Sequence, residues 1–144
     1  MPTDATERLS QLMIETGRLI KARLHGAAGD ACPLPPLQIA TLACVQDSAS
    51  PLLMKELAQK LRITPPSATP VIESLTAAGC LRRLTDRRDR RAVRLALTPK
   101  GRRLLAAARR VHLEKMRAII AVLSPKDRAA LTAILERLSE KFLA

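Results

Sequence analysis

Residues 81–101 read LRRLTDRRDRRAVRLALTPKG, and the order of residue types in this stretch decides the fold. Leu81 to Thr85 and Arg91 to Leu97 are two strand-like runs flanking a charged loop. In the second run Val93, Leu95 and Leu97 alternate with Ala92, Arg94 and Ala96, the period of two that suits a half-buried hairpin. The loop, Asp86-Arg87-Arg88-Asp89-Arg90-Arg91, concentrates positive charge around two aspartates. Thr98-Pro99 then starts a helix. The hydroxyl caps free N–H groups, and the fixed φ of proline suits the first helical turn.

Upstream, Leu53 to Gly79 has the organisation of a helix-turn-helix. A short helix over Met54 to Leu61 carries Leu57, Ala58 and Leu61 on one face, with Ala58 small enough for a second helix to cross closely. Arg62-Ile63-Thr64 makes the turn. Thr64-Pro65 repeats the hydroxyl-proline start, and the second helix runs from Pro65 to Ala78 with Ala68, Ile72 and Leu75 inward. Gly79 suits its C′ position. The outward face holds Pro66, Ser67, Thr69, Pro70, Glu73 and Ser74. Pro70 lacks an N–H in the helix interior, which predicts a kink near Pro66–Pro70. Two short amphipathic helices alone are common in helical cores; the hairpin that follows gives them meaning.

The flanks are helical. Leu9, Leu12, Met13, Leu19 and Ile20 recur near helical spacing from Asp4 to about Leu24, and Gly26 to Asp30 ends that helix. Pro33, Pro35 and Pro36 keep the next residues extended, and a second helix spans Leu37 to Val45. After Pro99 a long helix reaches Leu123. Ser124-Pro125 then opens a last one marked by Leu131, Ile134, Leu135, Leu138 and Phe142. The expected fold class is mainly α with a small β-hairpin.

The 144 residues carry 25 Lys+Arg against 13 Asp+Glu, a net charge of +12. Twelve basic residues and two acids fall between Arg82 and Arg110, so ten of the net twelve charges sit in that segment. Such a concentration is the electrostatic footprint of a polyanion-binding surface. Phe142 is the one aromatic residue, so the core must be built from Leu, Ile, Val, Met and Ala. No secretory leader pattern opens the chain and no apolar run approaches ~18 residues, which argues against membrane function. Three unpaired cysteines, Cys32, Cys44 and Cys80, suit a reduced cytoplasmic protein.

Helix-turn-helix, arginine-tipped hairpin and long helix form a composite that resembles the MarR family of bacterial transcription regulators over almost the whole chain. The residues that carry the resemblance are Met54-Lys55-Glu56-Leu57-Ala58, Leu75 through Gly79, Arg83, Asp89-Arg90-Arg91-Ala92-Val93 and Leu97-Thr98-Pro99-Lys100-Gly101. The resemblance implies a winged helix-turn-helix lobe over residues 31–98 and an N-terminal dimerisation helix with its linker over 1–30. Residues 99–144 would supply C-terminal dimerisation helices. It implies a homodimeric repressor of an inverted-repeat operator on double-stranded DNA, released by a small-molecule effector. It also implies an Asp-x-Arg pair in the wing, the aspartate ion-pairing to set wing shape and the arginine entering the minor groove. Two registers fit, Asp86-x-Arg88 and Asp89-x-Arg91, and the distance to Leu97-Thr98 favours the second. Arg87, Arg88 and Arg90 would then reach phosphates or the same groove.

The recognition helix departs from the family by carrying no arginine, the residue of the commonest direct base contact. Pro66, Ser67, Thr69, Pro70, Glu73 and Ser74 would supply a modest readout, leaving more of the affinity to the wing and to DNA shape. The rival reading of a small basic chain, an RNA-binding or ribosome-associated protein, lacks aromatics for base stacking in the basic region. A cysteine-based redox sensor is the other alternative, and Cys32 in the proline-rich connection is its candidate. No catalytic residues, no metal site and no cofactor are expected: His25 and His112 stand apart, and no phosphate loop or nucleophile elbow occurs.

Overall fold

The structure, a computed structural model, describes residues 4–26 and 34–143. It divides into two compact units, Ala27–Val111 and Met1–Gly26 with His112–Ala144.

The first unit contains α2 (Pro36–Gln46), β1 (Leu52–Leu53), α3 (Met54–Leu61), α4 (Pro65–Ala77), β2 (Leu81–Thr85), β3 (Val93–Leu97) and the start of α5 (Pro99–Ile120). Its core gathers the faces anticipated from periodicity. Leu57 and Ala58 of α3 and Ala68, Ile72 and Leu75 of α4 are all buried, packed with Leu42 of α2 and Leu95 of β3. Fully burying a leucine or isoleucine side chain is worth about 1.5–3 kcal/mol, so these faces fix how α3 and α4 cross. Between them Arg62 adopts φ 56°, ψ 41°, the left-handed conformation that lets its N–H close the end of α3 on Ala58 and Gln59. Pro70 sits inside α4 without ending it, and the helix is continuous from Pro65 to Ala77.

The sheet has three strands where two are expected. All pairs are antiparallel in the order β1-β3-β2. The added strand is only Leu52-Leu53, pairing with Leu95 and Arg94. The hairpin register sets Leu81 against Leu97 and Thr85 against Val93. β3 starts at Val93 rather than Arg91, because the Ala92 N–H turns back to the Asp89 carbonyl at 3.0 Å.

The three hydroxyl-proline starts are realised in one way. Thr64 Oγ1 accepts the Ser67 N–H at 3.3 Å, Thr98 Oγ1 the Gly101 N–H at 3.1 Å, and Ser124 Oγ the Asp127 N–H at 3.1 Å. Each satisfies a donor that a helix's first turn leaves without an intrahelical partner.

The second unit contains α1 (Ala5–Gly26), the remainder of α5 and α6 (Pro125–Leu143). Lys115 Nζ donates to the Leu24 carbonyl at 2.9 Å, tying α5 to the end of α1. Every buried hydrophobic side chain among the described residues lies between Leu42 and Ala108, so this unit contributes none. On α6, Leu131, Ile134, Leu135, Leu138 and Phe142 form an apolar stripe in which every member is exposed. Among the described residues no helix is long and apolar enough to cross a membrane.

Candidate nucleic-acid interface

The candidate residues lie on two elements of one unit. On α4, Pro66, Ser67, Pro70, Glu73 and Ser74 are exposed and Thr69 is half-buried. Hydrogen bonds already engage three of them. Ser67 Oγ lies 2.8 Å from Thr64 Oγ1, and Thr69 Oγ1 donates to the Pro65 carbonyl at 3.1 Å. Ser74 Oγ accepts from the Gln38 amide of α2 at 3.3 Å. A hydroxyl that donates internally keeps its lone pairs, so what Thr69 has left to offer is an acceptor. Pro70 has no N–H to give to the carbonyl four residues back, which leaves the Pro66 carbonyl without its intrahelical donor on the exposed side of α4.

On the wing, Arg87, Arg88, Asp89, Arg90 and Arg91 are all exposed. The loop that carries them is tightly organised. Asp86 N–H donates to the Ala92 carbonyl at 3.1 Å, closing the loop at its base. Both aspartates then turn the chain by accepting the N–H two residues on, Asp86 from Arg88 at 2.8 Å and Asp89 from Arg91 at 2.9 Å. These are Asx turns, in which a short carboxylate stands in for a backbone carbonyl.

Both Asp-x-Arg registers thus form an Asx turn, but the ion pair falls to the aspartate that the spacing disfavours. The wing's ion pair joins Asp86 to Arg94 of β3, Nε to Oδ2 at 2.8 Å. Asp89 spends its carboxylate on the backbone N–H of Arg91. The Asp86 side chain is only 12% exposed, and its carboxyl is held below the usual carboxylate range, first by the Arg88 N–H and then by the Arg94 guanidinium. Arg94 also donates from Nη1 to the Pro51 carbonyl at 2.9 Å, so it braces the wing against the chain leading into β1. Sequence spacing missed Arg94 because alternation placed it simply on the outer face of its strand. The register of β3 between β1 and β2 is what brings it to Asp86 and Pro51.

Wing and helix-turn-helix share one face. Arg83, Asp89 and Arg91 line a cleft of about 500 Å³ with Met54 and Lys55 from the start of α3. The Met54 sulfur in turn lies 3.8 Å from the Thr69 hydroxyl oxygen of α4. Three cations, Lys55, Arg83 and Arg91, around one concave surface suit an anionic partner. Other arginines are internally committed: Arg109 bonds both carboxylate oxygens of Asp47 at 3.1 Å, and Arg102 donates to the Leu97 carbonyl.

Of the cysteines, Cys80 is fully buried and Cys44 half-buried, where burial pushes its thiol up. Cys32, the redox candidate, lies outside the described residues, as do residues 27–33 that would link α1 to α2.

Residues 33–92 match the model of the MarR family. No curated protein sequence matches the chain. Among solved structures, a MarR family protein from Bacillus stearothermophilus is similar with a TM-score of 0.82 at 18% identity, covering 95% of this chain and 94% of its own. RV1404 from Mycobacterium tuberculosis is similar with a TM-score of 0.79 at 21% identity, covering 96% and 95%. Wild-type MarR from E. coli, in its apo form, is similar with a TM-score of 0.77 at 18% identity, covering 90% and 96%.

Proposed function

We propose, from the match of residues 33–92 to the MarR family model, that the chain is a MarR-family regulator: a homodimeric repressor that binds double-stranded DNA sequence-specifically and is released by a small-molecule effector. The observation that carries the DNA reading is the fixed, exposed arginine wing sharing a concave face with Lys55 and the outer surface of α4. A helix-turn-helix lays its second helix in the major groove, where Ser67, Thr69 and Ser74 meet base edges and the Glu73 carboxylate accepts from a cytosine amino group. Arg91 and its neighbours enter the adjacent minor groove or meet phosphates, where a narrow groove concentrates negative potential.

The bare second unit supports dimerisation. Helices that bury no side chain of their own among the described residues leave a second copy of the chain to cover them. In this reading residues 31–98 form the DNA-binding lobe, while 1–30 and 99–144 assemble the dimer. Two recognition helices would then stand about one DNA turn, ~34 Å, apart and read an inverted repeat. A groove of about 260 Å³ between α1 and α5 supports an effector. It is lined by Leu19, Ile20, Ala118, Ile119 and Val122 with Arg23 as its cation, which suits a small apolar anion. The role is binding, with no catalytic step.

Selecting bound sequences from random duplexes tests the reading. The expected outcome is enrichment of an inverted repeat, retained in a gel shift against structured RNA of equal length. No enrichment, or preference for the RNA, overturns it. Organic anions screened against the retained complex should include compounds that release it.

A further inference from the structure

The C-terminal end of α4 is held from outside the helix. Lys100 Nζ donates to the Ala78 carbonyl at 2.7 Å, and its Cδ lies 3.9 Å from where a Cβ would stand on Gly79. Thr98 Oγ1 donates to the Gly79 carbonyl, while the Thr98 N–H reaches the Cys80 carbonyl at 3.1 Å. The last carbonyls of a helix have no intrahelical donors and carry its negative dipole end, so an ammonium and a hydroxyl placed there fix that end in space. The other end is capped by Thr64. Alongside, Gln38 is the helix's polar contact from α2.

Such bracing has a particular consequence here. A long arginine can follow its base when a helix shifts, but α4 presents hydroxyls, a glutamate and prolines. Short side chains keep their hydrogen-bond distances only if the helix itself is held to within a few tenths of an ångström. We infer that Lys100, assisted by Thr98, is a positioning residue for base readout: it sets the depth of α4 in the major groove without touching DNA. This rests on the DNA-binding reading above and adds a specificity determinant to it.

The test compares wild type, Lys100→Met and Lys100→Arg on the selected duplex and on a scrambled duplex of equal length, across a salt series. Lys100→Met keeps the stem over Gly79 and removes the ammonium; Lys100→Arg restores a cationic donor. Lys100→Met should lose about ten-fold in affinity for the selected duplex, roughly one base pair's worth of discrimination. It should stay within about two-fold on the scrambled duplex with its salt slope unchanged, and Lys100→Arg should recover most of the loss. Amide exchange at Ala78 to Cys80 should quicken in Lys100→Met alone. Equal losses on both duplexes, with the salt slope falling by about one, would make Lys100 a phosphate contact and overturn the inference. An unchanged ratio between the duplexes overturns it too. A wild type that does not distinguish the duplexes overturns the DNA reading itself.

Discussion

Asp86 and Arg94 meet across the base of the wing at 2.8 Å, and the same guanidinium reaches the Pro51 carbonyl at 2.9 Å. One arginine thus joins the charged loop, β3 and the approach to β1. It ties the base of the wing to the rest of its unit, whereas the side chains of Arg87, Arg88, Arg90 and Arg91 are exposed. In the proposed reading the arginine cluster divides into a bracing residue and a set of DNA-contacting residues, and the two should fail differently.

Arg90→Ala and Arg91→Ala should weaken binding on every duplex and each lower the slope of log affinity against log salt by about one, because a lost phosphate contact releases one fewer counterion. Arg94→Ala should also weaken binding, but with a smaller change of slope and a lowered thermal midpoint, since what it loses is the shape of the wing. Fluorescence anisotropy at four or five salt concentrations reads both quantities. If Arg94→Ala alone changes the slope, the assignment of contact and brace is reversed.

The depressed carboxyl of Asp86 makes the brace pH-dependent, with a definite sign. A group whose folded-state value lies below its unfolded value, about 3.9 for aspartate, contributes stability that is fully present above the unfolded value. That contribution is lost as the pH falls through the folded value. Asp86→Asn keeps an acceptor for the Arg88 N–H and removes the charge facing Arg94. Its thermal midpoint should fall below that of wild type at pH 6–7, with the difference closing in acid below about pH 3.9. A difference that persists undiminished into strong acid would show that Arg94 gains nothing from the charge.

How much of this was written in the chain differs by element. Met54–Leu61 and the start at Pro65 follow from residues that act locally: an apolar face, a capping threonine and a proline at N1. The burial of Ala68, Ile72 and Leu75 follows from the 3.6 period, which a 13-residue helix shows clearly. Leu52-Leu53 could not be read this way, because two residues have no period and become a strand only through their partners on β3. The same holds for Arg94. Its pairing with Asp86, eight positions away, depends on hairpin register and on a third strand, and local pattern specifies neither. Favouring Asp89 over Asp86 rested on distance along the chain to Thr98. The structure gives Asp89 a turn to hold and Asp86 the ion pair.

The joint between β2 and α5 turns on Gly101. A Cβ there would stand 2.2 Å from the carbonyl oxygen of Cys80 and 3.0 Å from its carbon, both backbone atoms that cannot swing aside. The first turn of α5 must therefore move away from Cys80, disturbing the Thr98 and Lys100 bonds to the end of α4 and the buried Leu105 beyond. Gly101→Ala should cost on the order of 3 kcal/mol, the upper part of the range for overpacked sites, despite alanine's better helix propensity. Urea unfolding reads the loss directly. A variant as stable as wild type would mean that α5 approaches Cys80 less closely than the geometry shows.

The proposed dimer makes its strongest demand on α6. Leu135 is 51% exposed at the middle of the stripe formed by Leu131, Ile134 and Leu138. In a two-fold interface each substitution is felt twice. Fully burying a leucine is worth about 1.5–3 kcal/mol and about half of Leu135 is open to a partner, so replacing it by aspartate in both chains removes about 1.5–3 kcal/mol and raises the dissociation constant about 10- to 10²-fold. Because no side chain of α6 is buried within its own protomer among the described residues, Leu135→Asp should leave the winged-helix unit folded, with Leu57, Ile72 and Leu95 still in their core. Sedimentation equilibrium should then show a dimer for wild type and dissociation for the variant over the same concentration range. The variant should also lose affinity for an inverted repeat while keeping that of wild type for a single half-site at equal site concentration. A Leu135→Asp chain that still sediments as a dimer with unchanged affinity would place the interface elsewhere than on this stripe.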